Sequence, residues 1–494
     1  MTEQTRVGNA PAVTMQASDE LYQWLEAEHI SFGFTTYQAN RLFLVGRNDN
    51  GRLAVNERLF DKPMGLYAHD SRLYLSTRYQ IWQLEDRLSP GERYQDCDRL
   101  YIPSQSHTTG DMNVHDLAVS DAQEIFFINT DFSCLGRLQA GYSFASVWTP
   151  PFISKLVPED RCHLNGLAMQ DGQPAYVTAC STSDVATGWR NQRTDGGVVM
   201  HIPTNEIVVA GLSMPHSPRW YQGKLWVLNS GTGEFGYIDG NRFRPVIFCP
   251  GFVRGLAFWK QYALVGLSKL RSQVFTGLAL EQKLIDGNMT SQCGLAIIDL
   301  DSGKLLHVLH IEGVVEELFD VVVIPNVIRP KALGFQDDEI DRLISFPGSN
   351  GLLITKPTVS RPGLSQPVQK PGVPRISKKD QPELPDVRYQ KVLNLTPENL
   401  LAYEYMSQPS LRGRWSTHPQ RGALLGMSAS VDGKMIGFVV AESWQENDQL
   451  TNEIISSYVS PAFRHYPIEQ KLHVHLQRVL QENQNQVSIN QPGE

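Results

Sequence analysis

Residues 162–180 read CHLNGLAMQDGQPAYVTAC. Two polar side chains, His163 and Asn165, stand directly before an apolar run. Asp171 and Gly172 then mark a turn, and a second run follows that is rich in β-branched and aromatic residues. The same unit recurs along the chain. MGLYA at 64–68 precedes SRLYLS at 71–76, and VHDLAV at 114–119 precedes EIFFIN at 124–129. HSPRW at 216–220 precedes KLWVLN at 224–229, FVRGLAF at 252–258 precedes YALVG at 262–266, and a last copy starts ELFDVVV at 317–323. Most units lie about 50 residues apart, the period of a four-stranded propeller blade.

The reading is a mostly β chain with a β-propeller of about six blades. Helical periodicity is nearly absent between Phe32 and Phe346, and Gly with Asp or Asn punctuates the runs, as at Asn48-Asp49-Asn50-Gly51. Strands around 34–59 complete the last blade and close the ring. The long interval from Leu256 to Asp320 leaves seven blades open.

Composition bounds the function. The chain has 494 residues, 41% hydrophobic and 19% charged, with a formal charge of -8, which suits a globular protein and disfavours one that coats nucleic acid. No apolar stretch approaches the roughly 20 residues of a membrane helix, and no partner membrane is expected. The six cysteines are scattered without a Cys-x-x-Cys pair, so a cytoplasmic protein with reduced thiols is expected.

In a propeller, the residue at the entrance of each inner strand faces the channel mouth. That phase collects His115 and Asp116, His163 and Asn165, His216 and Arg219, Arg254, and Glu317 and Asp320. Three readings stand side by side. Convergent polar groups make a ligand pocket, with Asn165, Asp184, Trp189, Arg190, Arg219, Arg254, Lys269 and Arg271 as binding residues for a small anion or an anionic peptide. In a catalytic version, His163 or His216 is the base and Arg219 or Arg254 the anion clamp. His115, Asp116, His163, Glu317 and Asp320 are also residue types that hold a divalent metal. The plainest alternative is that these groups bond neighbouring blades to one another, with the arginines in ion pairs. Asn229-Ser230-Gly231-Thr232-Gly233 lacks a following helix and reads as a turn, not a phosphate cradle. No Gly-x-Ser-x-Gly elbow supports Ser133, Ser181 or Ser230 as a nucleophile.

The strings FINTDFSCL (127–135), EDRCHLNGLAM (159–169), GLSMPHSPRW (211–220), VRGLAF (253–258) and VGLSKLR (265–271) resemble a family of bacterial conserved hypothetical proteins over roughly 32–325. The resemblance implies a fold and brings no mechanism. Six-bladed gluconolactonase-like enzymes are an analogy of fold, with a metal at the channel mouth, and a metal-dependent hydrolase is one alternative that it implies.

The propeller is placed at 30–354, after an N-terminal extension at 1–29. Residues 355–386 are rich in Pro and Lys and read as an extended linker. From 387 to 494 the pattern is α+β: a strand at 387–395, a helix opening at Thr396-Pro397, a hairpin across Val431-Asp432-Gly433, a strand at 453–459, and a helix marked by Ile468, Leu472, Leu476 and Val479. That order resembles the first half of a GNAT-type N-acetyltransferase. Pro467 and Glu469 stand where that family's pyrophosphate loop has glycines, and the later strands of the fold are missing. Acetyl-CoA is therefore not expected to bind, and the segment reads as an incomplete docking domain. A protein partner on the rim or on this domain is the non-catalytic alternative: an interaction scaffold.

Overall fold

The computed structural model describes residues 13–270, 277–335, 339–346, 354–355, 386–392, 423–431, 434–446, 449–459 and 468–489. Two compact units divide the chain, Met1–Pro362 and Gly363–Glu494.

Among the described residues the first unit holds six blades of antiparallel strands, with Pro330–Ala332 added in parallel to the outer edge of blade 2. Blade 2 runs from the inner strand Leu66–His69 through Arg72–Ser76 and Gln80–Asp86 to Arg99–Thr108. Blades 3, 4, 5 and 6 repeat the order from inner strands Val114–Val119, Leu164–Gln170, Pro215–Tyr221 and Phe252–Trp259. Blade 1 is composite. Its inner strand Val321–Pro325 pairs with Ile30–Thr36, so the end of the repeat region is bonded to its beginning. Each inner strand packs on the next, and blade 6 packs on blade 1, which closes the ring. The long interval before Asp320 is not a seventh blade. It is filled by an excursion within blade 6 that carries the helix Ala279–Asp286.

The second strand of blade 1 to appear in the chain, Arg41–Arg47, shows how sequence becomes packing. Its apolar run is continuous because both faces are covered. Phe43 and Val45 join Leu264, Leu295 and Ile297 of blade 6, while Leu42 and Leu44 join Leu73, Leu75 and Leu84 of blade 2. Residues 13–28, expected as an extension, belong to this unit. Val13–Ala17 adds an outer strand to blade 6, and the helix Leu21–Glu28 buries Leu21, Trp24 and Leu25 in the core between blades 6 and 1.

A hydroxyl at the end of most second strands fastens its blade to the next. Thr35 Oγ1 donates to the Met64 carbonyl (2.5 Å), Ser76 Oγ to Val114 (3.1 Å), Thr130 Oγ1 to Leu164 (2.6 Å), Ser230 Oγ to Val253 (2.6 Å) and Ser268 Oγ to Leu318 (3.1 Å). Each buried bond contributes about 1 kcal/mol. Close inner strands also demand glycine at Gly255. Its φ is +81°, and a Cβ there would lie 2.9 Å from the Asp320 Cα.

The second unit is a four-stranded antiparallel sheet, Arg388–Val392, Ala423–Val431, Lys434–Glu446 and Gln449–Val459 in that order, with the helix Ile468–Ile489 on one face. Ile468, Leu472, Leu476 and Val479 pack on Met427, Ala429, Val439, Ala441 and Val459. The hairpin and the final helix follow the sequence pattern. The proline-rich linker, the helix expected after Thr396, and Pro467 lie outside the described residues. Among the described residues no helix is long and apolar enough to cross a membrane.

Candidate functional site

The expected ring of polar groups divides into two levels. Asp116, Arg219 and Asp320 form a plug across the channel. Arg219 Nη1 donates to Asp116 Oδ2 (2.8 Å), and to the carbonyls of Leu167 (3.0 Å) and Pro218 (2.9 Å); Nε donates to the Leu256 carbonyl (3.2 Å) and Nη2 to Asp320 Oδ1 (3.5 Å). The carboxylates are spent on backbone donors as well. Asp116 accepts from Leu117 N and Leu167 N, and Asp320 from Val321 N and Leu66 N. Burial opposes the Arg219 charge, but Asp116 and Asp320 outweigh it and hold the guanidinium protonated. Burial, and then the charge of Asp116, push the Asp320 carboxyl up to about 7.

Arg219, grouped on sequence with an anion clamp, thus belongs to the plug. It sits beyond a register shift between His216 and Arg219 in the pairing of Pro215–Tyr221, and its donors are taken by Asp116, Asp320 and three carbonyls. Asn165 is also turned away from the mouth: its Oδ1 accepts from Thr178 Oγ1 (2.7 Å) and its Nδ2 points to Cys180 Sγ (3.4 Å) within its own blade.

Above the plug, three imidazoles gather with one cation. The His115 and His163 rings meet edge to face at 4.9 Å, and His163 stacks on Trp189 at 4.1 Å. His115 also meets the Phe319 ring at 5.6 Å, and the Arg254 guanidinium lies over that same ring at 3.7 Å. His216 packs on Phe252 at 5.5 Å. Trp189 sits in a short 3₁₀ turn, Gly188–Gln192, and is wedged against Met214, Phe252 and the excursion helix residues Leu280 and Leu284.

Hydrogen bonds fix the protons on these rings. His115 Nδ1 lies 2.8 Å from the Asn113 carbonyl and 2.8 Å from Thr130 Oγ1, whose own proton is committed to Leu164. His216 repeats the arrangement with the Met214 carbonyl (2.8 Å) and Ser230 Oγ (3.0 Å), the latter committed to Val253. Partners that only accept require the proton on Nδ1, so Nε2 carries the lone pair. His163 Nδ1 donates to the Asp160 carboxylate (3.0 Å), which also accepts from Trp189 Nε1 (2.9 Å). No hydrogen bond among the described residues engages Nε2 of any of the three.

Burial, then His163 and Arg254, lower the His115 pKa well below the usual value of 6.5. Burial, then Arg254 and His163, do the same at His216. Above pH 6.5 both states of the protein hold these rings neutral. Below it the unfolded chain takes up protons that the folded state refuses, so stability is lost as pH falls, by up to about 1.4 kcal/mol per pH unit for each ring. Asp320 has the opposite sign: its raised value gives stability that is fully present below the unfolded value near 3.8 and lost as pH rises through about 7. Between these limits two histidines outweigh one carboxyl. Urea unfolding from pH 7 to pH 5 is expected to show falling stability, and His216→Asn, which keeps a donor for Met214, is expected to flatten the slope by about one proton.

The remaining candidates are engaged in other ways. Asp184 ties a loop down, accepting from Ser154 N (2.9 Å) and Arg161 Nη1 (2.7 Å), and the Ser154 and Arg161 bonds hold its carboxyl low, at about 2. Arg190 is exposed, its guanidinium over the Trp189 ring at 4.7 Å. Lys269 is bonded through its backbone N to Glu316, and Arg271 lies outside the described residues. The proposed metal set does not assemble. Asp116 and Asp320 serve the plug, and Glu317 caps a turn by accepting from Tyr37 N (2.8 Å) and Thr36 Oγ1 (3.1 Å). Among the described residues no group of three or more His, Cys, Asp or Glu is arranged to hold a metal ion. All six cysteines are buried free thiols, with Cys162 pushed by burial up to about 12.

Sequence reading missed Asp160, Phe319 and the hydroxyl fasteners. The hydroxyls carried a signal, a Ser or Thr ending the second strand at Ser76, Thr130, Ser181, Ser230 and Ser268. Asp160 and Phe319 carried none beyond nearness to a histidine and to Asp320.

A family profile described as Domain of unknown function (DUF4915) matches residues 19–333. No curated protein matches the chain. Among solved structures it is similar to one from a nidogen/laminin complex, with 10% identity over 60% of this chain and 99% of that one, at a TM-score of 0.38. A gluconolactonase from Xanthomonas campestris is 13% identical over 57% of this chain and 84% of its own, at 0.34. A virginiamycin B lyase from Staphylococcus aureus is 10% identical over 60% and 99%, at 0.32.

Proposed function

From the premise that the chain belongs to the DUF4915 family, we propose that its propeller binds a small anionic ligand at the channel mouth. Arg254 takes the anion, and His115, His163, His216 and Trp189 form the walls. One observation carries this reading: the mouth gathers Arg254 with three imidazoles, and none of the three uses its Nε2 in holding the blades together. A group that serves only the fold is expected to be bonded at both ends when buried, as Arg219 is.

Of the two histidines considered as a base, His163 is better placed. Its Nδ1 faces a carboxylate, which stabilises the imidazolium that proton abstraction creates. His216 has only a carbonyl and a hydroxyl there and is held neutral. The carboxylates that a metal-dependent alternative needs, Asp116 and Glu317, are engaged by Arg219 and by Tyr37 N.

The resemblance of the C-terminal segment to a GNAT-type fold carries no acetyl-CoA site in this reading. Glu469 lies in the first turn of the helix, bonded to Ser457 Oγ (3.1 Å), and sets a negative charge where a pyrophosphate would have to dock.

Calorimetric titration of the intact chain with citrate and with inorganic phosphate tests the proposal. One-to-one binding of either is expected, with a matching rise in melting temperature. Neither heat nor a melting shift with any small anion up to about 10 mM would leave the propeller as an interaction scaffold.

A further inference from the structure

Three imidazoles line the mouth, and only one of them has a carboxylate partner. His115 and His216 set Nδ1–H against the Asn113 and Met214 carbonyls, and burial, then neighbouring charge, keeps both rings neutral. His163 differs at three points. Its Nδ1 lies 3.0 Å from both oxygens of Asp160, a full negative charge in place of a carbonyl dipole. Its Nε2 makes no hydrogen bond among the described residues, yet it is not one of the buried side-chain nitrogens that lack a partner, so it reaches solvent. Both members of the pair also have left-handed backbones, φ +52° at His163 and +45° at Asp160, whereas His115 and His216 stand at the entrance of their strands without one. Such conformations are uncommon outside glycine and collect at functional sites.

An imidazole with Nδ1–H on a carboxylate and a lone pair on an open Nε2 is a nucleophile as well as a base. Substitution at Nε2 while Nδ1 keeps its proton leaves the ring cationic. At His115 and His216 burial opposes that charge; at His163 the Asp160 carboxylate offsets it. The electrophile is taken as anionic, which rests on the anion reading above. A carboxylate is a poor electrophile, whereas a phosphoryl group accepts nitrogen at phosphorus and keeps its charge. We infer that the mouth transfers phosphoryl groups through a covalent intermediate on Nε2 of His163, with Asp160 positioning the ring. The Nε2 lone pair forms the bond to phosphorus, the bond to the leaving group breaks with its electron pair, and the Nδ1 proton stays on the ring facing Asp160. A water or hydroxyl oxygen then takes the phosphorus, Nε2 recovers its electron pair, and the proton of that oxygen is released.

Phosphoramidate, whose leaving group departs as ammonia, tests this on the intact chain, with the acid-labile adduct mapped by mass spectrometry. His163 is expected to be labelled roughly tenfold faster than the exposed His29, which serves as an internal reference. Asp160→Asn keeps an oxygen to accept from His163 Nδ1 and Trp189 Nε1 and removes the charge. It is expected to bring His163 down to about the His29 rate. Labelling of His163 no faster than His29 in the wild type would overturn the inference, while citrate binding in the earlier titration would still uphold the anion site. An adduct on His115 or His216 instead, or a His163 rate that Asp160→Asn leaves unchanged, would overturn the assignment of the pair. Fast labelling of His163 by the uncharged acylating agent diethylpyrocarbonate, with none by phosphoramidate, would show a reactive imidazole and overturn phosphoryl transfer.

Discussion

Replacing Arg219 with Gln is expected to destabilise the propeller by about 3–5 kcal/mol, the cost of leaving a buried charge without its partner. Asp116 and Asp320 have side chains only 5% and 4% exposed, so neither can turn to water when the guanidinium is lost. The effect is not confined to one pair. Arg219 bonds groups from blades 3, 4, 5, 6 and 1, and Asp320 in turn holds Leu66 N of blade 2. One side chain thus joins the inner strands of the whole ring. Gln is too short to span them and carries no charge. A fall in melting temperature of roughly 5–10 °C is expected. Arg219→Lys keeps the charge but not the fork of donors, and is expected to recover only part of the loss. A Gln variant within about 0.5 kcal/mol of wild type would contradict the plug, since that is the range of an ordinary surface change.

The fold was legible in the sequence because each blade repeats the same two-strand unit, and closure of the ring followed from strands near 34–59 that had no inner strand of their own. Six against seven blades was not legible. The excursion carrying Ala279–Asp286 lengthens one interval without adding a blade, and spacing alone cannot separate these cases. The site was read halfway. Sequence phase grouped His115, His163, His216 and Arg254, and of these the His115 and His163 rings meet at 4.9 Å. The same phase grouped Arg219 and Asn165 with them, but Arg219 is bonded to Asp116 and Asp320, and Asn165 to Thr178 within its own blade. Phase predicts which residues enter the channel; hydrogen bonding decides which of them remain available to a ligand.

Arg254→Gln separates the mouth from the plug. Its guanidinium lies on the Phe319 face and lowers the pKa of His115 and His216, so removing the charge relieves those rings as it removes the anion clamp. Loss of a charge-assisted hydrogen bond is expected to weaken anion binding by about 1.5–3 kcal/mol, roughly 10- to 100-fold in Kd. The most direct measurement is therefore a set of thermal melts of wild type, Arg219→Gln and Arg254→Gln, each with and without citrate. A citrate-induced rise is predicted for the wild type and lost in Arg254→Gln, while Arg219→Gln melts far lower than the wild type and keeps the rise. If Arg254→Gln melts as low as Arg219→Gln and citrate leaves the wild type unmoved, the mouth is a second structural ring and the ligand site does not exist.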